Sequence, residues 1–192
     1  MAEAKKEVCC ARNLANPAPL GLLGFGVTTM LLNLSNAGFF ALGSTILAMG
    51  VFYGGIAQLI AGWMEWKKNN TFGFTAFTSY GLFWLSLVAL LVLPKLGWAE
   101  ASSAAAMGWY LLLWGVFTFF MFVATLKLSR SLQFVFGSLT LLFFLLAASD
   151  FTGSAALKQL AGFEGIVCGA SAVYAAAGQV LNEVYGKKIL PL

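Results

Sequence analysis

The chain reads as an all-α integral membrane protein with six transmembrane helices per protomer and both termini cytoplasmic. Three observations carry this reading. Of 192 residues, 60% are hydrophobic and only 9% are charged, with a mean hydropathy of +0.87. Soluble domains carry about 25% charged residues, so the apolar surface here needs a bilayer to cover it. The few charges stand in clusters between long uncharged runs. The basic residues among them fall on alternate sides of those runs.

The runs give the elements in order. Between Arg12 and Glu65 lie 52 uncharged residues, and one helix crosses the hydrocarbon core in roughly 20. This stretch is therefore two spans with a joint at "NLSNAGFFALGS", residues 33–44, rich in Asn, Ser and Gly. Lys68 to Lys95 encloses 26 uncharged residues, and Glu100 to Lys127 another 26. Arg130 to Asp150 encloses 19, and Glu164 to Glu183 encloses 18. Each suffices for one crossing at about 1.5 Å per residue. The layout is a tail over 1–15, a six-helix transport domain over 16–186, and a short tail over 187–192.

Topology follows from the basic residues. With the N-terminus inside, the inner segments hold Lys5, Lys6, Arg12, Lys67, Lys68, Lys127, Arg130, Lys187 and Lys188. The outer loops hold only Lys95 and Lys158. This nine-to-two bias obeys the positive-inside rule. It also accounts for the net charge of +4 without a nucleic-acid partner.

Chemistry-bearing residues are scarce. There is no histidine, and the three cysteines, Cys9, Cys10 and Cys168, form no CxxC pair. No metal site or cofactor is expected. Cys9 and Cys10 read as free thiols in a cytosolic tail. The spans hold no paired carboxylates and no nucleophile–base set, which argues against a membrane enzyme. Short loops disfavour a structural or sensory subunit. Glycines and alanines at helical spacing, among them Gly50, Gly54, Ala57 and Ala61, suit close helix packing within or between subunits.

The first span opens with "NPAPLGLLGFG", residues 16–26. Asn16 is a good N-cap and Pro17 suits the first helical position. The letters NPA also occur in water channels, but no second Asn-Pro box exists in this chain. The stretch, with "LAMGVFYGGIAQLIAGWMEWKKNNTFGFTAFTSYG" at 47–81, "LWGVFTFFMF" at 113–122, "LQFVFGSLTLLF" at 132–143, "CGASAVY" at 168–174 and "VLNEVYGKKILP" at 180–191, resembles the acetate uptake transporter family of succinate–acetate permease type.

The resemblance runs from about Asn16 to Pro191. It implies six-helix protomers in a homohexamer, in the cytoplasmic (inner) membrane of a prokaryote. It implies one substrate path per protomer and proton-coupled uptake of acetate and often succinate. The family's hydrophobic constriction of a Phe, a Tyr and a Leu falls on Phe25, Tyr80 and Leu139. Counted from Pro17, Lys68 and Arg130, these lie roughly 12, 18 and 13 Å deep at 1.5 Å per residue, near the middle of a core about 30 Å thick. By spacing alone, Phe25 and Leu139 read as packing residues.

An apolar collar would hold back water and ions while passing a small methyl-bearing acid. The Tyr80 hydroxyl is a candidate donor to a carboxylate. Asn16 would orient that group at the inner mouth. Proton coupling stays open at this stage: no Lys or Arg lies at mid-membrane. Glu164, at the outer end of the sixth span, is the only candidate side-chain carrier and can equally face outer water. The proton can instead travel on the substrate. The competing reading is a passive channel for small neutral solutes or undissociated weak acids.

Overall fold

The structure is a computed structural model that describes residues 14–192. The expectations for Lys5, Lys6, Arg12, Cys9 and Cys10 lie outside the described residues. Six helices are long and apolar enough to cross a membrane: α1 (Ala18–Asn36), α2 (Ser44–Lys67), α3 (Thr71–Val92), α4 (Ala104–Thr125), α5 (Arg130–Thr152) and α6 (Ala155–Val184). The described residues contain no strand.

Local chemistry sets the helix ends. Asn70, Ser103, Ser129 and Ser154 precede α3 to α6, and each side-chain oxygen accepts a backbone N–H three residues on, at 3.1–3.4 Å. Each cap satisfies one of the unpaired N–H groups of a first turn. α5 stops at Gly153, whose φ of +66° suits glycine. The joint between α1 and α2 is narrower than the sequence suggests, since α1 continues to Asn36 and α2 begins at Ser44.

Two elements depart from expectation. α6 has 30 residues rather than the 18 enclosed by Glu164 and Glu183, and Lys158 lies in its exposed first turn. At about 1.5 Å per residue such a helix is about 45 Å long, so its ends overrun a core of about 30 Å and tolerate the charge. Glu164 is thus ten residues inside a helix rather than at its end, half-buried, with Oε2 enclosed and unpaired among the described residues. The helix was expected to start later because charge was taken as its boundary.

The second departure lies in α2, which is π-helical over Gly50–Ala57 between α-helical ends. A π turn widens the backbone, and such turns recur at functional sites. Gly54 lets this turn press against α3, where an added Cβ would stand 2.7 Å from the Trp84 ring.

α1 packs most extensively on α6, α4 on α5, and α2 on α3, with α5 closing against α6. At the α1–α6 crossing the backbones nearly touch. A Cβ on Gly26 would meet the Gly169 carbonyl at 2.6 Å, and one on Gly169 would meet the Gly26 carbonyl at the same distance. Small residues permit this contact where lipid supplies no hydrophobic drive. The polarity is inverted relative to a soluble protein. Phe52, Leu113 and Phe120 are about two-thirds exposed, whereas Gln58, Glu65, Thr28, Asn33, Thr118 and Thr125 are at most 1% exposed.

Candidate functional site: an apolar-ended cavity inside the bundle

A cavity of about 370 Å³ enters the bundle from the face that carries both ends of the described chain. Its mouth is lined by Asn16, Glu65, Lys68, Asn70, Ser129 and Gln179. Its deeper wall is made by Leu22, Phe25, Gln58, Tyr80, Phe136 and Leu139. The four residues singled out from the sequence therefore line one cavity, although they come from three helices and the segment before α1.

The mouth is built by hydrogen bonds across the fold. Asn16 Nδ2 donates to Gln179 Oε1 at 2.9 Å, which joins the start of α1 to the end of α6. Asn16 Oδ1 accepts from the Ala18 N–H at 3.2 Å and from Lys68 Nζ at 3.4 Å. Asn16 thus supports the first turn as expected, but the helix proper begins at Ala18, with Pro17 in the half-in position before it. Glu65 is buried, and its Oε2 accepts from Asn70 Nδ2 at 2.7 Å. Asn70 also caps α3, so one residue shapes both the helix start and the mouth.

The tail edges the same opening. Asn182 Oδ1 accepts the N–H groups of Ile189 at 2.6 Å and Leu190 at 3.0 Å, and its Nδ2 donates to the Leu190 carbonyl at 2.9 Å. Tyr174 donates to the Pro191 carbonyl at 2.9 Å. Residues 187–192 are thereby folded back along α6, and Leu192 reaches the cavity lining.

Inside, Phe25, Tyr80 and Leu139 are 7%, 3% and 2% exposed. The Phe25 and Tyr80 rings lie 6.0 Å apart. Tyr80 is also 5.5 Å from Phe117, 6.0 Å from Phe136 and 6.2 Å from Trp114, centroid to centroid. These tilted and edge-on contacts hold the ring in one orientation.

The Tyr80 hydroxyl is not a free donor, contrary to the expectation from sequence. It donates to Thr118 Oγ1 at 3.0 Å, while Thr118 donates its own proton to the Trp114 carbonyl at 2.7 Å. Burial forces this pairing, because a lone phenol proton away from water would go unsatisfied.

Sequence reasoning missed Gln58, Glu65, Lys68 and Gln179 as lining residues. Gln58 is the one glutamine of α2, in otherwise apolar surroundings, a signal that was there to read, whereas Gln179 stands close to Asn182 and Glu183 and is less distinct. Glu65 and Lys68 were read only as topology markers. Glu164 is not among the cavity-lining residues.

Comparison with known proteins identifies the family. The chain matches the GPR1/FUN34/yaaH family over residues 3–186. It is 64% identical over 179 residues to the succinate-acetate/proton symporter SatP of Escherichia coli (strain K12), covering 93% of this chain and 95% of that one. It is 39% identical over 161 residues to ammonia transport outward protein 2 of Saccharomyces cerevisiae, covering 80% of this chain and 57% of that one. The solved structure of the bacterial acetate channel SatP superposes with a TM-score of 0.93 at 63% identity, covering 94% of this chain and 99% of that one. A six-helix bundle matched along nearly its whole length in sequence and in space makes this chain a member of the GPR1/FUN34/yaaH family.

Proposed function

We propose that this protein carries acetate, and with it succinate, across the cytoplasmic membrane of a prokaryote through the cavity of each protomer. The observation that carries the reading is the cavity itself: a polar mouth with Lys68 and Asn16 leads to an apolar wall that includes Phe25, Tyr80 and Leu139. A cation and amide groups concentrate small carboxylates at the mouth. The narrow apolar end then discriminates by size and hydration. Support comes from the 64% identical relative named a succinate-acetate/proton symporter. The termini are taken as cytoplasmic on the nine-to-two basic bias, so the mouth opens inward. Small-residue helix faces and broad exposed apolar surfaces favour assembly with further copies, a homohexamer by family resemblance. Neither a cofactor nor nucleic acid enters this function.

Uptake of labelled acetate into proteoliposomes, with and without a pH gradient, tests the proposal after subtraction of protein-free liposomes. Acetate accumulation above that background is expected, and its absence overturns the proposal. A second reading, passage of small neutral solutes, is favoured by the apolar end of the cavity and by the yeast relative named for ammonia transport. Methylammonium flux that exceeds acetate flux in the same vesicles would select it.

A further inference from the structure

The deep part of the cavity holds polar atoms of one kind. Gln58 is wholly buried and lines it. Its Nε2 donates to the Gly54 carbonyl, one turn back in the π-helical segment, at 2.7 Å. A carbonyl only accepts, so the amide has one allowed orientation, with nitrogen on the backbone and oxygen away from it. That oxygen, Oε1, is enclosed and has no partner among the described residues. Tyr80 is in the same condition by another route. The Thr118 proton is committed to the Trp114 carbonyl and the Tyr80 proton to Thr118, at 2.7 and 3.0 Å, so Tyr80 Oη has only lone pairs to offer. The neighbouring lining residues, Leu22, Phe25, Phe136 and Leu139, are apolar. The side-chain donors, Asn16, Lys68, Asn70, Ser129 and Gln179, are all at the mouth.

A carboxylate has acceptors alone, and an apolar compartment that offers it only further acceptors leaves its charge unpaired. An undissociated carboxylic acid has one O–H donor and no charge. We infer that Gln58, assisted by Tyr80, reads the protonation state of the substrate: the deep end of the cavity binds the neutral acid, whose O–H donates to Gln58 Oε1. The inference rests on the carboxylate-transport reading above. It places the transported proton on the substrate's own oxygen. Between the deep end and the mouth the substrate exchanges one proton with the water at the mouth, so it is the acid at the collar and the carboxylate beside Lys68, in either direction of transport.

The titratable and charged groups lining the cavity are Glu65 on α2, Lys68 in the turn after it and Tyr80 on α3. α1, α5 and α6 contribute none to the lining, and Cys168 of α6 lies behind it with its thiol on the Val135 carbonyl at 3.8 Å. Glu65 is the one carboxylate side chain in the lining, so it needs a separate variant.

The test is ligand-observed NMR of acetate binding to the purified protein in detergent at pH 5.5, 6.5 and 7.5. A carboxylic acid with pKa about 4.3 loses its neutral fraction about tenfold per pH unit in this range. The midpoint in total acetate should therefore rise about tenfold at each step and stay constant in undissociated acid. Acetamide, a neutral isostere whose N–H can serve Gln58, should bind with the same midpoint at all three values. Glu65→Gln should keep the tenfold steps. Gln58→Met, similar in shape but without the amide oxygen, should bind acetamide at least about tenfold more weakly and raise the acetate midpoint by a similar factor at every pH. A wild-type midpoint that moves less than about twofold across the range overturns the inference, as does Gln58→Met with unchanged acetamide affinity or Glu65→Gln with lost steps. If Gln58→Met does not fold, the two wild-type titrations still decide. Binding without pH dependence sinks only this inference. No acetate binding at any pH, with no uptake in proteoliposomes, sinks the transport reading and takes this one with it.

Discussion

Truncating Leu139 to alanine should change which acids pass while leaving the bundle intact. Leu139 is 2% exposed and lines the cavity beside Phe25 and Tyr80. Leu141, two residues on, is 50% exposed and faces out of the bundle. Both substitutions delete the same three carbons from the same helix, so any general effect of shortening a leucine on α5 cancels between them. At Leu139 the lost carbons become room in the passage. One methylene in a tight pocket discriminates by roughly 10–200-fold, so space for three carbons should raise butyrate uptake relative to acetate by about tenfold or more. Leu141→Ala should leave that ratio within about twofold. The assay is paired uptake of the two labelled acids into proteoliposomes with protein-free vesicles subtracted. Thermal unfolding in detergent checks that both variants are folded. Equal shifts at 139 and 141 would refute the placement of the collar, though not the fold.

Tyr80→Phe keeps the ring and removes a hydroxyl whose proton is already spent on Thr118, so stability should fall by about 0.5–1.5 kcal/mol, one net hydrogen bond. The butyrate-to-acetate ratio should stay as in the wild type, and a rise as large as that of Leu139→Ala would show that the hydroxyl sets the width. Gly169→Val places side-chain atoms where the Gly26 carbonyl would lie 2.6 Å from Cβ, so it should lower the melting temperature and the yield of folded protein far more than Ala170→Val on the exposed neighbouring position. Reporter fusions at Lys68 and Gly97 should give opposite topology signals, and the same signal at both would end the reading of the termini as cytoplasmic. Native mass spectrometry in detergent should show a closed oligomer, with six copies as the expected number. A clean monomer at micromolar concentration would count against it.

The class, the number of spans and the family were legible from the linear order of residues. A bilayer demands uninterrupted apolar runs and punishes charge within them, so the charges of this chain map its loops directly. The rule erred most at α6, because a helix longer than the hydrocarbon core carries charges on its overhanging turns; Glu65 and Lys67 of α2 and Asp150 of α5 also lie just inside helix ends. Lys158 was therefore placed in an outer loop and Glu164 at a helix end, although α6 contains both. Phe25, Tyr80 and Leu139 were found by motif and not by spacing, since an apolar residue that lines a path has the same periodicity as one that packs. Their meeting in one cavity was a matter for the tertiary structure. So were the π turn at Gly50–Ala57, the joining of Asn16 to Gln179 across the bundle, and the direction of each proton on Tyr80, Thr118 and Gln58. Hydropathy is a property of each residue and adds along the chain. A hydrogen bond needs a partner, and for Tyr80 that partner stands 38 residues away on another helix, so whether the phenol gives or takes a proton is decided only when the helices pack.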